Sequence, residues 1–373
     1  MALIQYLTTI RFGSGTIAEL PEALEAAGIT RPLLVTDPGL AAAPPLAAVR
    51  QHLPDAPLFS ATPANPTEAA VAAALDQYRA ARCDGLVAVG GGSPIDLAKG
   101  VALLATHPGS LATYAAILGG VPRITAAAAP VIAVPTTAGT GSEVGRAALL
   151  TLDDGRKLGF ISPHLIPRQA VCDPDLTLGL PPGLTAATGM DALTHCIETY
   201  LSPRDNPPAE AIALDGVARA WRFLPRAVAD GSDAEARREM MMAALEGGLT
   251  FQKGLGAVHG LSHALGGLKD PVLHHGTLNA VLLPAVLRFN AEAVPEKFAR
   301  LRQSLGLAPD ADLAAAVAAF TAGLGLPASL SALGVPRTVL PAAAEAAERD
   351  HSTATNPRLV DASAYRSLLD AAF

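Results

Sequence analysis

Residues 86–100 read LVAVGGGSPIDLAKG: an apolar run, three glycines, then the start of a helical stretch. The apolar residues 86–89 suit a strand buried on both faces, and the periodicity of PIDLAKGVALLAT (94–106) suits a helix. Gly90, Gly91 and Gly92 allow a tight turn between them, with Ser93 placed to cap the helix and Pro94 at its first position. The same alternation extends outward. PLLVT (32–36) reads as a strand ending at Asp37, 68–83 as a helix, and PVIAVP (130–135) as another buried strand. Near-continuous apolar strands separated by helices predict a parallel sheet with helices on both faces. After about Pro181 the strand signal stops, and helices are expected over 184–201, 207–224, 233–252, 256–267 and 276–292, with more towards the C-terminus. The predicted architecture is an α/β domain over 1–180 followed by an all-α domain over 181–373.

Composition narrows the function classes. Half of the 373 residues are hydrophobic and 16% are charged, enough for two large cores. A net charge of −7 argues against nucleic acid and anionic membrane surfaces as partners. The three cysteines, at 83, 172 and 196, form no CxxC or paired framework, which suits a reducing cytoplasm. The opening MALIQYLTTIRFGSG has no basic region ahead of an apolar stretch, and no run approaches the length of a membrane span. The sequence therefore predicts a cytoplasmic protein that acts on a small molecule.

Two loops follow buried strands. The glycine run opens a helix, whose free N–H groups suit a pyrophosphate, although it matches neither GxGxxG nor a P-loop. PTTAGTGSEV (135–144) offers hydroxyls at another strand end, where open α/β sheets bind ligands. A phosphate-bearing ligand and a pair of plain tight turns both fit these loops. Asp37 can accept from a ribose diol and would repel a 2′-phosphate, or it simply caps a turn. Lys157, in DDGRKLGF, reaches either a bound phosphate or solvent.

The second half concentrates metal-capable side chains in GMDALTHCIETY, AVHGLSHALGG and LHHGTLNA. Asp191 and His195 stand four apart, as do His259 and His263, so each pair shares a helix face. One carboxylate with three imidazoles suits a borderline divalent ion such as Fe²⁺ or Zn²⁺. The alternative at this point is a set of capping residues and satisfied core histidines.

Together GGGSPIDLAKG, PTTAGTGSEV, GMDALTHCIETY, the 259–263 segment and HHGTLNAVLLP resemble the iron-containing (group III) alcohol dehydrogenases, over nearly the whole chain. Within that family the likeness is greatest to the bacterial 4-hydroxybutyrate branch, through IALDG, DDGRKLGF, CDPDLTLGLP and FQKGLG. The resemblance implies a dinucleotide-binding first domain and a metal-binding second one. Asp191, His195, His259 and His275 would be the ligands of Fe²⁺, with Zn²⁺ as the other ion the set accepts. His263 would be a catalytic proton-relay histidine beside the ion. Gly91, Gly92 and Ser93 would contact pyrophosphate, Thr136 and Thr137 the nucleotide, Asp37 the ribose, Asn65 the adenosine half and Lys157 the cofactor. Asp37 favours NAD over NADP. The family pattern has Pro–His–Gly at the last ligand, where this chain has His274–His275–Gly276; His275 directly precedes the glycine and is preferred.

The implied reaction is reversible hydride exchange between an alcohol carbon and nicotinamide, with the ion as Lewis acid, in a homodimer. A four-carbon hydroxy acid needs a cation for its carboxylate, and Arg146 and Lys253 are the candidates. A general medium-chain alcohol dehydrogenase is the alternative within the family. From another class, a metallohydrolase would leave the two phosphate-type loops without a role.

Overall fold

The computed structural model of the protein describes residues 4, 6, 8–268 and 270–373. The N-terminal half runs β1 (Thr9–Phe12), α1 (Leu20–Ala27), β2 (Pro32–Val35), α2 (Pro44–His52), β3 (Leu58–Phe59), α3 (Glu68–Ala80), β4 (Gly85–Gly90), α4 (Gly92–Leu104), β5 (Val131–Pro135), β6 (Ala147–Thr151), β7 (Lys157–Ile161) and β8 (Gln169–Cys172). Among the described residues one sheet has six strands in the order β1-β8-β5-β4-β2-β3, every pair parallel, while β6 and β7 form a separate antiparallel hairpin.

The strands divide their side chains by alternation. Leu33, Val35, Leu86, Ala88, Val131 and Ala133 pack on one face, with Val71 of α3 and Val101 of α4. Leu34, Val87, Val89, Ile132 and Val134 pack on the other, with Leu20 of α1 and Val49 of α2. Both faces are covered, so β4 and β5 are buried at every position and read as unbroken apolar runs. Each such Leu, Ile or Val contributes about 1.5–3 kcal/mol relative to exposure.

The turn after β4 differs from expectation in one respect. Helix α4 starts at Gly92 with Gly91 as its N-cap, and Ser93 does not cap it; the Ser93 hydroxyl donates to the Ala64 carbonyl at 2.5 Å. Three glycines let the chain turn early, so the helix begins before the serine. Gly90 holds φ +147, and a Cβ there would meet Pro94 Cγ at 2.7 Å, so glycine is required.

From Pro182 onward the described chain is helical: α5 (Pro182–Leu201), α6 (Pro207–Ala229), α7 (Ala234–Leu249), α8 (Ala257–Gly266), α9 (His275–Asn290), α10 (Pro295–Ser304), α11 (Leu313–Gly323), α12 (Leu340–Glu348) and α13 (Ala362–Ala371). Pro181 and Pro182 start α5, where a missing N–H costs nothing. Helix α6 runs on through Pro225, past the expected end at 224. Burial of Phe223, Leu224 and Ala227 outweighs the lost backbone bond. The expected helix over 233–252 is interrupted: α7 stops at Leu249 and a 3₁₀ turn, Phe251–Lys253, follows.

The contacts divide the chain into an α/β unit, Tyr6–Thr137 with Gly141–Gly179, and a helical unit that takes in Ala138–Thr140 and Leu180–Phe373. Helix α5 is the axis of the helical unit, buried at every residue from Thr185 to Leu201. Glycines allow this. A Cβ on Gly216 of α6 would stand 2.5 Å from Cys196 Sγ, and one on Gly247 of α7 would stand 3.0 Å from His195 Cβ. No described helix is long and apolar enough to cross a membrane.

Candidate functional site

Helix α5 presents Asp191, His195 and Glu198 at spacings of four and three residues, hence on one face. Helix α8 brings His259 and α9 brings His275 to the same point. The Nε2 atoms of His195, His259 and His275 lie 3.6, 3.7 and 3.6 Å from Asp191 Oδ1. Asp191, His195 and His259 are buried, whereas His275 keeps 30% side-chain exposure and forms the open side. Gly276 sets that approach: a Cβ there would run into the Ala187 carbonyl of α5. His274, the residue before α9, is exposed.

The outer contacts fix how each imidazole points. His195 Nδ1 donates to the Gly139 carbonyl at 3.3 Å, which leaves Nε2 as the acceptor facing Asp191. His259 Nδ1 donates to Glu198 Oε2 at 2.6 Å, which turns its Nε2 towards Asp191. Glu198 also accepts from the N–H of Gly256 (3.1 Å) and of Val258 (2.7 Å), so it caps α8 while it holds His259. Asn279, one turn beyond His275, donates from Nδ2 to Asp191 Oδ1 at 2.7 Å. That amide nitrogen also lies 3.3 Å from Nε2 of both His259 and His275.

The donor set fits a divalent ion. Ligand atoms around a tetrahedral ion with bonds near 2.0–2.2 Å stand about 3.3–3.6 Å apart, close to the distances from Asp191 Oδ1 to each Nε2. Asp191, His195 and His259 form the compact group, and His275 approaches it from the open side. Asn279 places a partly positive N–H₂ group among these acceptors, and its buried Oδ1 has no hydrogen-bond partner among the described residues. Electrostatics agree. Burial alone would raise Asp191, but His195 and His275 hold its pKa far below the usual carboxylate range. Burial pulls His195 down to about 4, so it is neutral at pH 7. Burial also opposes charge on His259, yet bonds to Asp191 and Glu198 outweigh it and push the pKa up to about 9. Two buried carboxylates thus demand positive charge where a cation would supply it.

His263, the other histidine of α8, stacks on His275 at 5.5 Å between ring centres, and its Nδ1 donates to Asp350 Oδ2 at 3.0 Å. It stands beside the cluster with its Nε2 uncommitted to that carboxylate.

In the α/β unit, Asp37, Gly91, Gly92, Ser93, Thr136 and Thr137 follow the carboxyl ends of β2, β4 and β5, which are neighbours in the sheet, whereas Lys157 opens β7 of the hairpin. Gly90 and Pro135 are in register across β4 and β5, so the loops after them run side by side. A Cβ on Gly91 would meet Thr137 Oγ1 at 3.1 Å, and Thr136 donates its N–H to the Gly90 carbonyl at 3.0 Å. Gly92 and Ser93 open α4 at that edge. Buried Lys99 staples the second loop to α4 by donating to the carbonyls of Ser142 (2.8 Å), Gly145 (3.0 Å) and Ala147 (2.8 Å). Lys157 donates to Asn65 Oδ1 at 2.9 Å, so these two expected contacts meet. Asp37, after β2, uses Oδ1 to accept from the N–H of Gly39 (2.8 Å) and Leu40 (3.1 Å), as a turn-capping carboxylate does.

The two candidates for a substrate carboxylate are placed unlike each other. Arg146 is exposed just before β6. Lys253 is fully buried and its ammonium donates to Glu210 Oε1 at 2.5 Å; burial pulls its pKa down to about 8. It shares that carboxylate oxygen with Lys297, whose ammonium stands 2.8 Å from it.

Glu198 and Asn279 were not among the sequence candidates, although their spacing carried the signal: seven after Asp191 and four after His275, on the ligand faces. The Gly139 carbonyl and Asp350 gave none, being separated from their partners by 56 and 87 residues.

Residues 8–174 match the iron-containing alcohol dehydrogenase family, and residues 185–373 match the Fe-containing alcohol dehydrogenase family, C-terminal. The chain is 56% identical to the 4-hydroxybutyrate dehydrogenase of Cupriavidus necator, with 99% of each chain covered. The crystal structure of a 1,3-propanediol oxidoreductase superposes with a TM-score of 0.94 at 38% identity, over the whole of both chains. A sulfoacetaldehyde reductase from Bifidobacterium kashiwanohense, solved in complex with NAD⁺, gives 0.88 at 28% identity, covering 100% of this chain and 99% of that one.

Proposed function

The chain belongs to the iron-containing alcohol dehydrogenase family, and from that premise we propose that it interconverts 4-hydroxybutyrate and succinic semialdehyde with NAD(H). The observation that carries the chemistry is the convergence of three imidazole Nε2 atoms on Asp191 Oδ1. Asp191, His195, His259 and His275 would hold the divalent ion, Fe²⁺ as in the family's name, with Zn²⁺ also suited to the set. The ion would supply Lewis acidity at the substrate oxygen, and the nicotinamide would supply the hydride chemistry.

The protein's own residues do the rest. Glu198 and the Gly139 carbonyl keep His259 and His195 in the tautomers that present Nε2. Asp350 holds the hydrogen of His263 on Nδ1, so Nε2 accepts the hydroxyl proton during oxidation and returns it during reduction. Gly91, Gly92 and Ser93 present the start of α4 to the pyrophosphate, Thr136 and Thr137 line the neighbouring loop, and Asn65 and Lys157 contact the cofactor as a bonded pair. Asp37 disfavours a 2′-phosphate and so selects NAD over NADP. Arg146 is the preferred partner for the substrate carboxylate; Lys253 would first have to leave Glu210. The working domains are 1–180 for the dinucleotide and 181–373 for the ion, in a cytoplasmic homodimer.

The test compares succinic semialdehyde with butanal under anaerobic conditions, with NADH, on metal-loaded and chelator-stripped protein. The proposal requires a preference of tenfold or more for the acid in kcat/KM and no turnover after stripping. Equal rates on both aldehydes would leave a general alcohol dehydrogenase in its place. Turnover without nicotinamide would favour a metallohydrolase.

A further inference from the structure

Beside the first cluster lies a second group of donors. His263 Nδ1 is 3.0 Å from Asp350 Oδ2, and His351 Nδ1 is 3.6 Å from Oδ1 of the same carboxylate. One donor atom from each of the three residues lies within 4.8 Å of the others. The rings of His263 and His351 stack at 5.7 Å and 18°, much as His195 and His259 stack at 4.5 Å and 19° in the first cluster. In both places two near-parallel imidazoles address one carboxylate. Asp350 is also fixed from behind, because the Ser352 N–H donates to Oδ1 at 2.8 Å. Side-chain exposure rises from 12% at His263 and 16% at Asp350 to 47% at His351, so the group opens outward and leaves room for water ligands.

We propose that His263, Asp350 and His351 form a second divalent-cation site, selective for Zn²⁺-type ions. Two imidazoles, one carboxylate and a water complete a four-coordinate shell of the kind such ions prefer. Mg²⁺ and Ca²⁺ favour all-oxygen shells and gain little from two imidazoles. Occupation has a consequence for turnover. With Nδ1 of His263 on the cation, its one hydrogen moves to Nε2, and the ring no longer accepts a proton from substrate. That consequence, unlike the binding itself, rests on the relay role proposed for His263. The enzyme would then be inhibited by excess of an ion that its first cluster also accepts.

Protein carrying one equivalent of Zn²⁺ is equilibrated with further Zn²⁺ by dialysis, and bound metal is counted by elemental analysis. NADH oxidation is followed on the same samples. Wild type is expected to take up a second equivalent at micromolar Zn²⁺ and to lose activity in step with it. His351→Ala, a change at a half-exposed side chain, should lose the second equivalent and the inhibition while keeping the first equivalent and basal turnover. Asp350→Asn should lose the second equivalent as well. Uptake that stops at one equivalent in wild type, or a second equivalent retained in His351→Ala, overturns the site. Binding of the second equivalent with unchanged turnover keeps the site and removes the relay role from His263.

Discussion

Glu198→Gln separates the two tasks of that side chain. The carboxylate accepts three hydrogen bonds, from the N–H groups of Gly256 and Val258 and from His259 Nδ1. A glutamine has one acceptor and one donor, so it cannot satisfy all three. With its oxygen towards Val258, its NH₂ faces Gly256 and His259 Nδ1. The imidazole must then accept at Nδ1 and carry its hydrogen on Nε2, the atom aimed at the ion. With its oxygen towards His259, its NH₂ meets the Val258 N–H inside a buried site. In either orientation a charge-assisted bond worth about 1.5–3 kcal/mol is lost and two donors confront each other. The expected cost in metal affinity is about 10–100-fold, or roughly 1.4–2.7 kcal/mol. The assay is competition for Zn²⁺ against a chromophoric chelator, with the melting temperature of the metal-free protein measured in parallel. A variant that melts lower yet binds Zn²⁺ within twofold of wild type would show Glu198 to be a helix cap only, and would refute the tautomer argument.

Gly276→Ala would force a methyl into the Ala187 carbonyl of α5. Relief requires α9 to move with His275, so stability should fall by about 1–3 kcal/mol and Zn²⁺ affinity should fall with it; normal affinity in a folded variant would contradict this. Glu246 is pushed up to about 8, chiefly by burial and then by sharing a proton with Asp215. A carboxyl whose pKa is raised on folding loses stability as pH climbs from its unfolded value near 4.5 through 8. Glu246→Gln should therefore match wild type at pH 4.5 and exceed it by about 1 kcal/mol at pH 9, read from urea midpoints. Arg146→Met should raise KM for succinic semialdehyde at least tenfold more than KM for butanal; an equal effect on both discards Arg146 as the carboxylate partner. Asp37→Gly should move the NAD/NADP ratio of kcat/KM towards NADP by about tenfold, and an unchanged ratio would assign Asp37 to its turn alone.

Much of the fold was legible because its signals are local. The buried strands β2, β4 and β5 are apolar runs flanked by turn residues, and the alternation with helices forces a parallel sheet. The short strands β1 and β3 and the β6–β7 hairpin were not, since four-residue segments of mixed polarity such as Thr9–Phe12 gain their order from pairing with distant β8. The end of α6 was misplaced because Pro225 is a strong local signal that burial of Phe223 and Leu224 overrides. At the site, Asp191, His195 and His259 were visible as helical spacings. The residues that orient them divide by distance. Glu198 follows the same periodicity, whereas the Gly139 carbonyl is a backbone atom and leaves no mark in composition. The position of Lys253 was opaque for the same reason, because its partner Glu210 is 43 residues away on another helix.

The burial of α5 from Thr185 to Leu201 has a kinetic side. Asp191, His195 and Glu198 ride on the part of the helix that is buried without a break from Thr185 to Leu201, beyond its exposed first turn, so their amides should exchange with deuterium only when the whole helical unit opens. His275 is the opposite case, standing at the first turn of α9 with nearly a third of its side chain in solvent. An ion that enters or leaves without global unfolding has one movable donor to work through, and the exchange rate of the metal should track the mobility of the start of α9 alone.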